Sequence, residues 1–251
     1  MKRCVLLFLS VALVVGLSSV CAGEESVWIG KSMSVGYGAY SDARDIFDKH
    51  ALDQSHSHEV VSVRISYVTA FDLRIFGYVQ PLSHIGMSVD ILGHYDEPME
   101  MIWINMLFSS DGKLSENDDG SLILTGVGTD GRRTITRMEY YPDQDQLRLE
   151  VHEGDELLCL FEYVKTEEGY AAQYYVESVT AFDFGVAKKE MCVYRTYFSE
   201  LDGSCARFDG VGEPESIMGL VPTEEEFIMG ATHWFTLAGG SFSGNLGGQA
   251  F

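Results

Sequence analysis

The chain is 251 residues long, with 38 acidic and 17 basic side chains and a formal net charge of −21. A surface of that sign repels nucleic acid and anionic lipid head groups, which excludes polyanions as partners. The acids are interleaved with 46% hydrophobic and 12% aromatic residues, so the charge reads as the solubilising surface of a folded chain and not as a disordered acidic tail.

The N-terminus reads MKRCVLLFLSVALVVGLSSVCAGEES. Lys2 and Arg3 form a basic start, Val5 to Leu17 an apolar run, and Val20-Cys21-Ala22 a small-residue stop. This is the pattern of a secretory signal cleaved after Ala22. The apolar run is short for a permanent membrane span. Losing Lys2 and Arg3 takes the charge from −21 to −23. Cys21 offers an alternative, a lipid-anchored N-terminus, although Val20 stands where a small residue normally precedes such a cysteine. Cys159, Cys192 and Cys205 remain, enough for one disulfide. Cys192 and Cys205 are the candidate pair, and Cys159, on an alternating face, is expected to be a small core residue.

Residues 42–53 carry Ala43, Ile46, Phe47, His50 and Ala51 at helical spacing behind Ser41 or Asp42 as a cap, and predict a helix. The pattern then changes. From Val61 to Ile75 the odd positions are mostly apolar and the even ones mostly polar, which predicts one long strand, or two meeting at a bend. Met101 to Phe108 is continuously apolar, as a segment covered on both faces would be. Residues 109–121 read as a polar loop or an extended hairpin turn. A meander follows, with strands at Leu122–Thr125, Thr134–Tyr141, Gln146–His152, Leu157–Lys165, Tyr170–Val186 and Met191–Phe198. Residues 199–222 read as loop. Thr223 followed by three glutamates is a capping-box pattern and predicts an amphipathic helix over 224–238.

These elements define an α+β fold: a large, mostly antiparallel curved β-sheet of about eight strands with an N-terminal and a C-terminal amphipathic helix. The expected organisation is a signal peptide over 1–22, a single β-rich domain over 23–238, and a Gly-rich tail without regular structure over 239–251. The stretch VTAFD occurs at Val68 to Asp72 and again at Val179 to Asp183. It reads as two long strands of matching parity, with Phe71 and Phe182 both buried.

Candidate chemistry is sparse. Gly126 to Gly131 fits G-x-G-x-x-G, but a dinucleotide site needs that loop to open a helix, and the β-forming RRTITRMEYY follows instead. His56 and His58 would share one strand face and are the candidate metal ligands. The acids of 111–119 lack the ordered spacing of a calcium loop and read as a solvated turn. Neither a nucleophile elbow nor a zinc-protease helix is present. No catalytic residue and no cofactor is therefore assigned. The function expected is that of an exported, non-catalytic protein of the bacterial periplasm or cell envelope. It would bind a lipid or other apolar ligand, or an envelope protein, on the curved sheet. Membrane association is expected only through lipidated Cys21 or a barrel. An outer-membrane β-barrel is the second reading, and a metal-assisted hydrolase using His56 and His58 the third.

Overall fold

The computed structural model describes residues 28–69, 73–128, 130–183, 186–220 and 222–251. The C-terminal part is a meander of eleven strands: β1 (Ser110–Glu116), β2 (Leu122–Val127), β3 (Arg133–Tyr141), β4 (Gln146–Glu153), β5 (Glu156–Lys165), β6 (Tyr170–Asp183), β7 (Val186–Ser199), β8 (Asp202–Asp209), β9 (His233–Ala238), β10 (Ser241–Leu246) and β11 (Gln249–Ala250). Each pairs antiparallel with the next in unbroken order, and the sheet is open, with β1 and β11 at its edges. Alternation sets the faces: on β4, Leu147, Leu149 and Val151 are buried on the inner face while Arg148 and Glu150 point the other way. β6 and β7 outrun their neighbours. β5 pairs β6 only as far as Val176 and β8 pairs β7 only as far as Cys192, so the rest of the hairpin pairs with itself alone.

The helices come first in the chain. They are α1 (Ile29–Ser55), α2 (Glu59–Arg64) running into a 3-10 turn at Ile65–Tyr67, α3 (Leu73–Val79) followed by a 3-10 turn at Gln80–Ser83, α4 (Met87–Leu92) and α5 (Glu97–Asn105). A further short helix, α6 (Glu224–Ile228), lies between β8 and β9. α1 lies across the inner face. Its buried Met33, Tyr40, Phe47 and Ala51 recur at near-whole helical turns and enter the same core as Leu149, Phe161, Tyr163 and Phe198 of the sheet. Gly36 is packed so closely under the Tyr140 ring that any Cβ there would collide with it. α5 is tied to α4 by buried Glu100, whose carboxylate accepts from Gly86 N at 2.6 Å and Ser88 N at 3.0 Å, covering donors that the start of α4 leaves free.

The outer face is covered at its centre by residues 210–220 and α6. Fully buried Glu162 fastens that cover: its carboxylate accepts from Ser216 Oγ at 2.6 Å, Ile217 N at 3.0 Å and Gln173 Nε2 at 2.7 Å, and it pairs with Arg148. Ile217 and Phe227 then close over Val164 and Ala171. A buried carboxylate is tolerated where its lone pairs are all used, as they are here.

Several sequence expectations are corrected. Over 61–67 the chain is helical and not a strand, and 68–69 turn: Val61, Ile65, Val68 and Thr69 are buried, whereas Val63 is 73% exposed. Alternating residues also contain a 4-3 spacing, and the fold uses that one. Residues 70–72 and the side chains of 181–186 lie outside the described residues, and with them the burial of Phe71 and Phe182. The first VTAFD copy begins in a turn after a 3-10 helix and the second on β6, so the two are not matching strands. Met101–Phe108 continues α5 into a turn and is not covered on both faces, since Ile104 is buried but Ile102 and Met106 are exposed. The 42–53 helix starts earlier, at Ile29, and Ile46 is 56% exposed. Residues 199–222 contain β8. At 224–238 the capping box is present, Thr223 Oγ1 accepting from Glu226 N at 3.4 Å, but the helix ends at Ile228. Gly230 takes a positive φ of 79°, and the chain re-enters as β9 with Phe235 and Leu237 buried against β8. The Gly-rich 239–251 segment is no tail: it supplies β10 and β11. All three described cysteines are free, because the β7–β8 register sets Cys205 opposite Thr196 and Cys192 opposite Asp209.

Candidate functional site

The two candidate metal ligands sit between helices. His56 ends α1 and is exposed. His58 is the N-cap of α2, its Nδ1 accepting from Val61 N at 3.4 Å, and its ring lies 5.0 Å from that of Phe251. The segment is a turn and not a strand, so the expected common strand face does not exist. Among the described residues, no three His, Cys, Asp or Glu side chains converge in a way that could hold a metal ion. The G-x-G-x-x-G loop is a β2–β3 turn, closed by Gly128 N donating to Arg132 O at 2.9 Å, as the following β-forming residues imply. The acidic 111–119 segment folds into β1 and a turn. Asp119 there accepts from Ser121 N and Oγ and from Arg137, which hold its carboxyl down at about 2.

Most of the inner face is filled by the chain itself. Under α1 lies an aromatic cluster: Tyr40 stacks on Tyr163 at 4.6 Å and shares a hydrogen bond with Tyr174 at 3.0 Å. At one end of this cluster Asp145, in the β3–β4 turn, accepts from Tyr140 at 3.2 Å, Tyr163 at 3.1 Å and Tyr170 at 3.2 Å. Burial pushes the Tyr140 phenol up to about 12, with the Asp145 charge adding to it, so these hydroxyls stay protonated donors. The arrangement cross-ties three strands. A group that donates to a carboxylate and stays protonated does not serve as a base, and the cluster reads as structural.

The inner face stays open at the other end of the strands, between α3 and the sheet. Two adjoining clefts of about 510 and 370 Å³ share Tyr78, Asp130 and Thr134. The larger is walled by Pro81, Leu107, Phe108, Thr136 and Val151, and the smaller by Leu158 and Val176 together with Glu156 and Glu177. Polar groups stand at the rim, where Arg132 bonds Glu153 at 3.0 Å and faces Asp130 at 3.7 Å. Apolar walls with a charged rim suit a body that is greasy along its length and polar at one end.

Of this cleft, the sequence reveals the β2–β3 turn and the strand residues Thr134, Thr136, Val151 and Val176. It hides α3, Tyr78 and Phe108, because 61–75 reads as a strand and the helical layer is therefore missing. No protein-family model matches the chain, and neither a curated protein nor a solved structure is detectably similar to it.

Proposed function

We propose that this is an exported, non-catalytic binding protein whose cleft between α3 and the inner face of the sheet holds an apolar or amphipathic ligand. One observation carries the reading. The inner face, elsewhere covered by α1, α2 and the segments around α3 and α5, is left open beneath α3 as a cleft with Tyr78, Phe108, Val151, Leu158 and Val176 in its walls and Arg132, Glu153 and Glu156 beside them. Its volume lies in the range of sites for small ligands, about 300–1,000 Å³. Export is supported by the basic start, apolar run and small-residue stop of residues 1–22.

Native mass spectrometry of the purified protein tests the reading. Extra mass that solvent extraction removes is the expected result. Thr134→Trp, which places an indole in the shared middle of the two clefts, should abolish that mass and the binding of a fluorescent long-chain fatty acid while leaving the fold intact by circular dichroism. If the protein carries nothing and the probe binds Thr134→Trp as well as the parent, the cleft is not the site.

A further inference from the structure

A second surface lies at the opposite end of the sheet, apart from the cleft beneath α3. The hairpin turns β5–β6, β7–β8 and β9–β10 all fall at this end, and α1 runs beside them. Between helix and turns is a groove made of two adjoining hollows of about 610 and 790 Å³, which share Glu168, Glu200 and Leu201. Its helical wall is Ala39, Ala43, Ile46 and His50. That spacing, four, three and four residues, is the seam spacing with which one helix receives another. Small residues at the first two positions permit close approach, and Ile46 stands 56% exposed as an anchor. From Ala39 to His50 the seam is about 17 Å long, three helical turns.

The facing wall sets a row of acids beside Tyr170, Phe198 and Leu201. Glu167, Glu168 and Glu200 are exposed along it, and none takes part in an ion pair among the described residues. Lys165, the cation of that wall among the described residues, faces Asp145 at 3.7 Å and lies over the Tyr170 ring. Glu200 sits in the β7–β8 turn with a positive φ of 45°. An apolar seam beside three uncompensated carboxylates selects its occupant by charge. A second copy of this chain would bring a net charge of −21 to the same place, and an anionic bilayer would bring its head groups.

We propose that this groove docks a cationic amphipathic helix of a partner protein, with the partner's apolar face against Ala39, Ala43 and Ile46 and its Lys or Arg side chains against Glu167, Glu168 and Glu200. The mode is that of an amphipathic helix laid in a groove, with anchors at intervals of three and four.

The test uses the full mature chain and a labelled 18-residue helical peptide with a Leu/Ala face flanked by lysines, followed by fluorescence anisotropy. The expected result is saturable binding that weakens at least tenfold between 50 and 500 mM salt. Glu167→Gln/Glu168→Gln/Glu200→Gln should weaken it at least tenfold, as should Ile46→Lys; all four sites are exposed, and unchanged circular dichroism and melting of each variant confirm that its fold is kept. Thr134→Trp should leave it unaltered, which separates this groove from the ligand cleft. Equal binding of a peptide with Glu for every Lys would overturn the proposal, as would wild-type affinity in Ile46→Lys. Sedimentation showing a dimer that Ile46→Lys disrupts would assign the groove to a second copy instead.

Discussion

His233 shows how one side chain can make the fold pH-dependent. Its Nδ1 accepts a hydrogen bond from Gly247 N at 3.1 Å, and its Nε2 faces Asp209 Oδ2 at 3.4 Å. These contacts suit the neutral ring, with the proton on Nε2. A second proton would fall on Nδ1 and displace the Gly247 bond. Burial lowers the His233 pKa below its ordinary 6.5, against the opposing pull of Asp209. The unfolded chain therefore binds a proton more readily than the folded one. This contribution to stability is fully present above the ordinary pKa and is lost as pH falls from there through the lowered folded value. Thermal melts between pH 8 and pH 5 should show the loss. His233→Asn, which retains an acceptor but does not titrate, should flatten that part of the profile; an unchanged profile would assign the effect to other groups.

At the scale of elements, α1 carries most of the tension. It fills the inner face with Tyr40 and Phe47, yet it also buries Arg44 and Asp48 there. Their charged atoms lie 2.8 Å apart, but Arg44 Nε, Arg44 Nη1 and Asp48 Oδ1 find no aligned hydrogen-bond partner. Burial raises the Asp48 carboxyl in spite of the guanidinium beside it, while the Asp48 charge helps hold the buried Arg44 guanidinium protonated. Removing one partner should cost about 3–5 kcal/mol, because a buried charge is left alone. Arg44→Met should therefore lower the urea midpoint sharply. Arg44→Met/Asp48→Leu should recover most or all of that loss. A double variant less stable than the single would show the pair to be net stabilising. The stretch at 61–69 is decided at this scale too. Apolar residues at 61, 63, 65 and 67 satisfy a strand, while 61, 65 and 68 satisfy a helix, and the sequence contains both. The short α2 is then held from outside: Arg64 donates to Leu246 O at 2.9 Å and to Gln249 Oε1 at 3.1 Å, partners more than 180 positions away.

For the molecule as a whole, the far C-terminus is part of the sheet. Residues 239–251 look like a tail because glycine is frequent there, but those glycines make the turns around β10. Gly239 and Gly240 take positive φ values of 55° and 79°, and Gly247 and Gly248 take 63° and 78°. Between them Leu246 is fully buried and Phe242 packs edge-on to Phe235 at 5.4 Å. Gly244 and Phe251 exchange both backbone hydrogen bonds at 3.1 Å. Deleting residues 239–251 should remove that burial, bare the β9 edge and strip Arg64 of its partners. The truncated chain should melt at a markedly lower temperature or pass into aggregates on size-exclusion chromatography. A truncation that melts like the parent would restore the tail.

Local information was enough for the central meander. Leu147, Leu149 and Val151 alternate with charged residues, and turn formers such as Pro142-Asp143 and Glu153-Gly154-Asp155 punctuate the strands, so β2 to β7 and their common buried face can be read from the chain alone. The basic start and apolar run within residues 1–22 and the acidity are likewise properties of sequence. Long-range pairing decided the rest. The backbone of β8 needed a hydrogen-bonded neighbour, and it made a strand of His233–Ala238 where the residues alone describe a helix. Burial against the sheet chose a helical turn over a strand at Val61, Ile65 and Val68. The cleft beneath α3 and the groove beside α1 exist only because a helical layer packs on one face of an open sheet, and which face stays uncovered is a property of that packing, not of any local pattern.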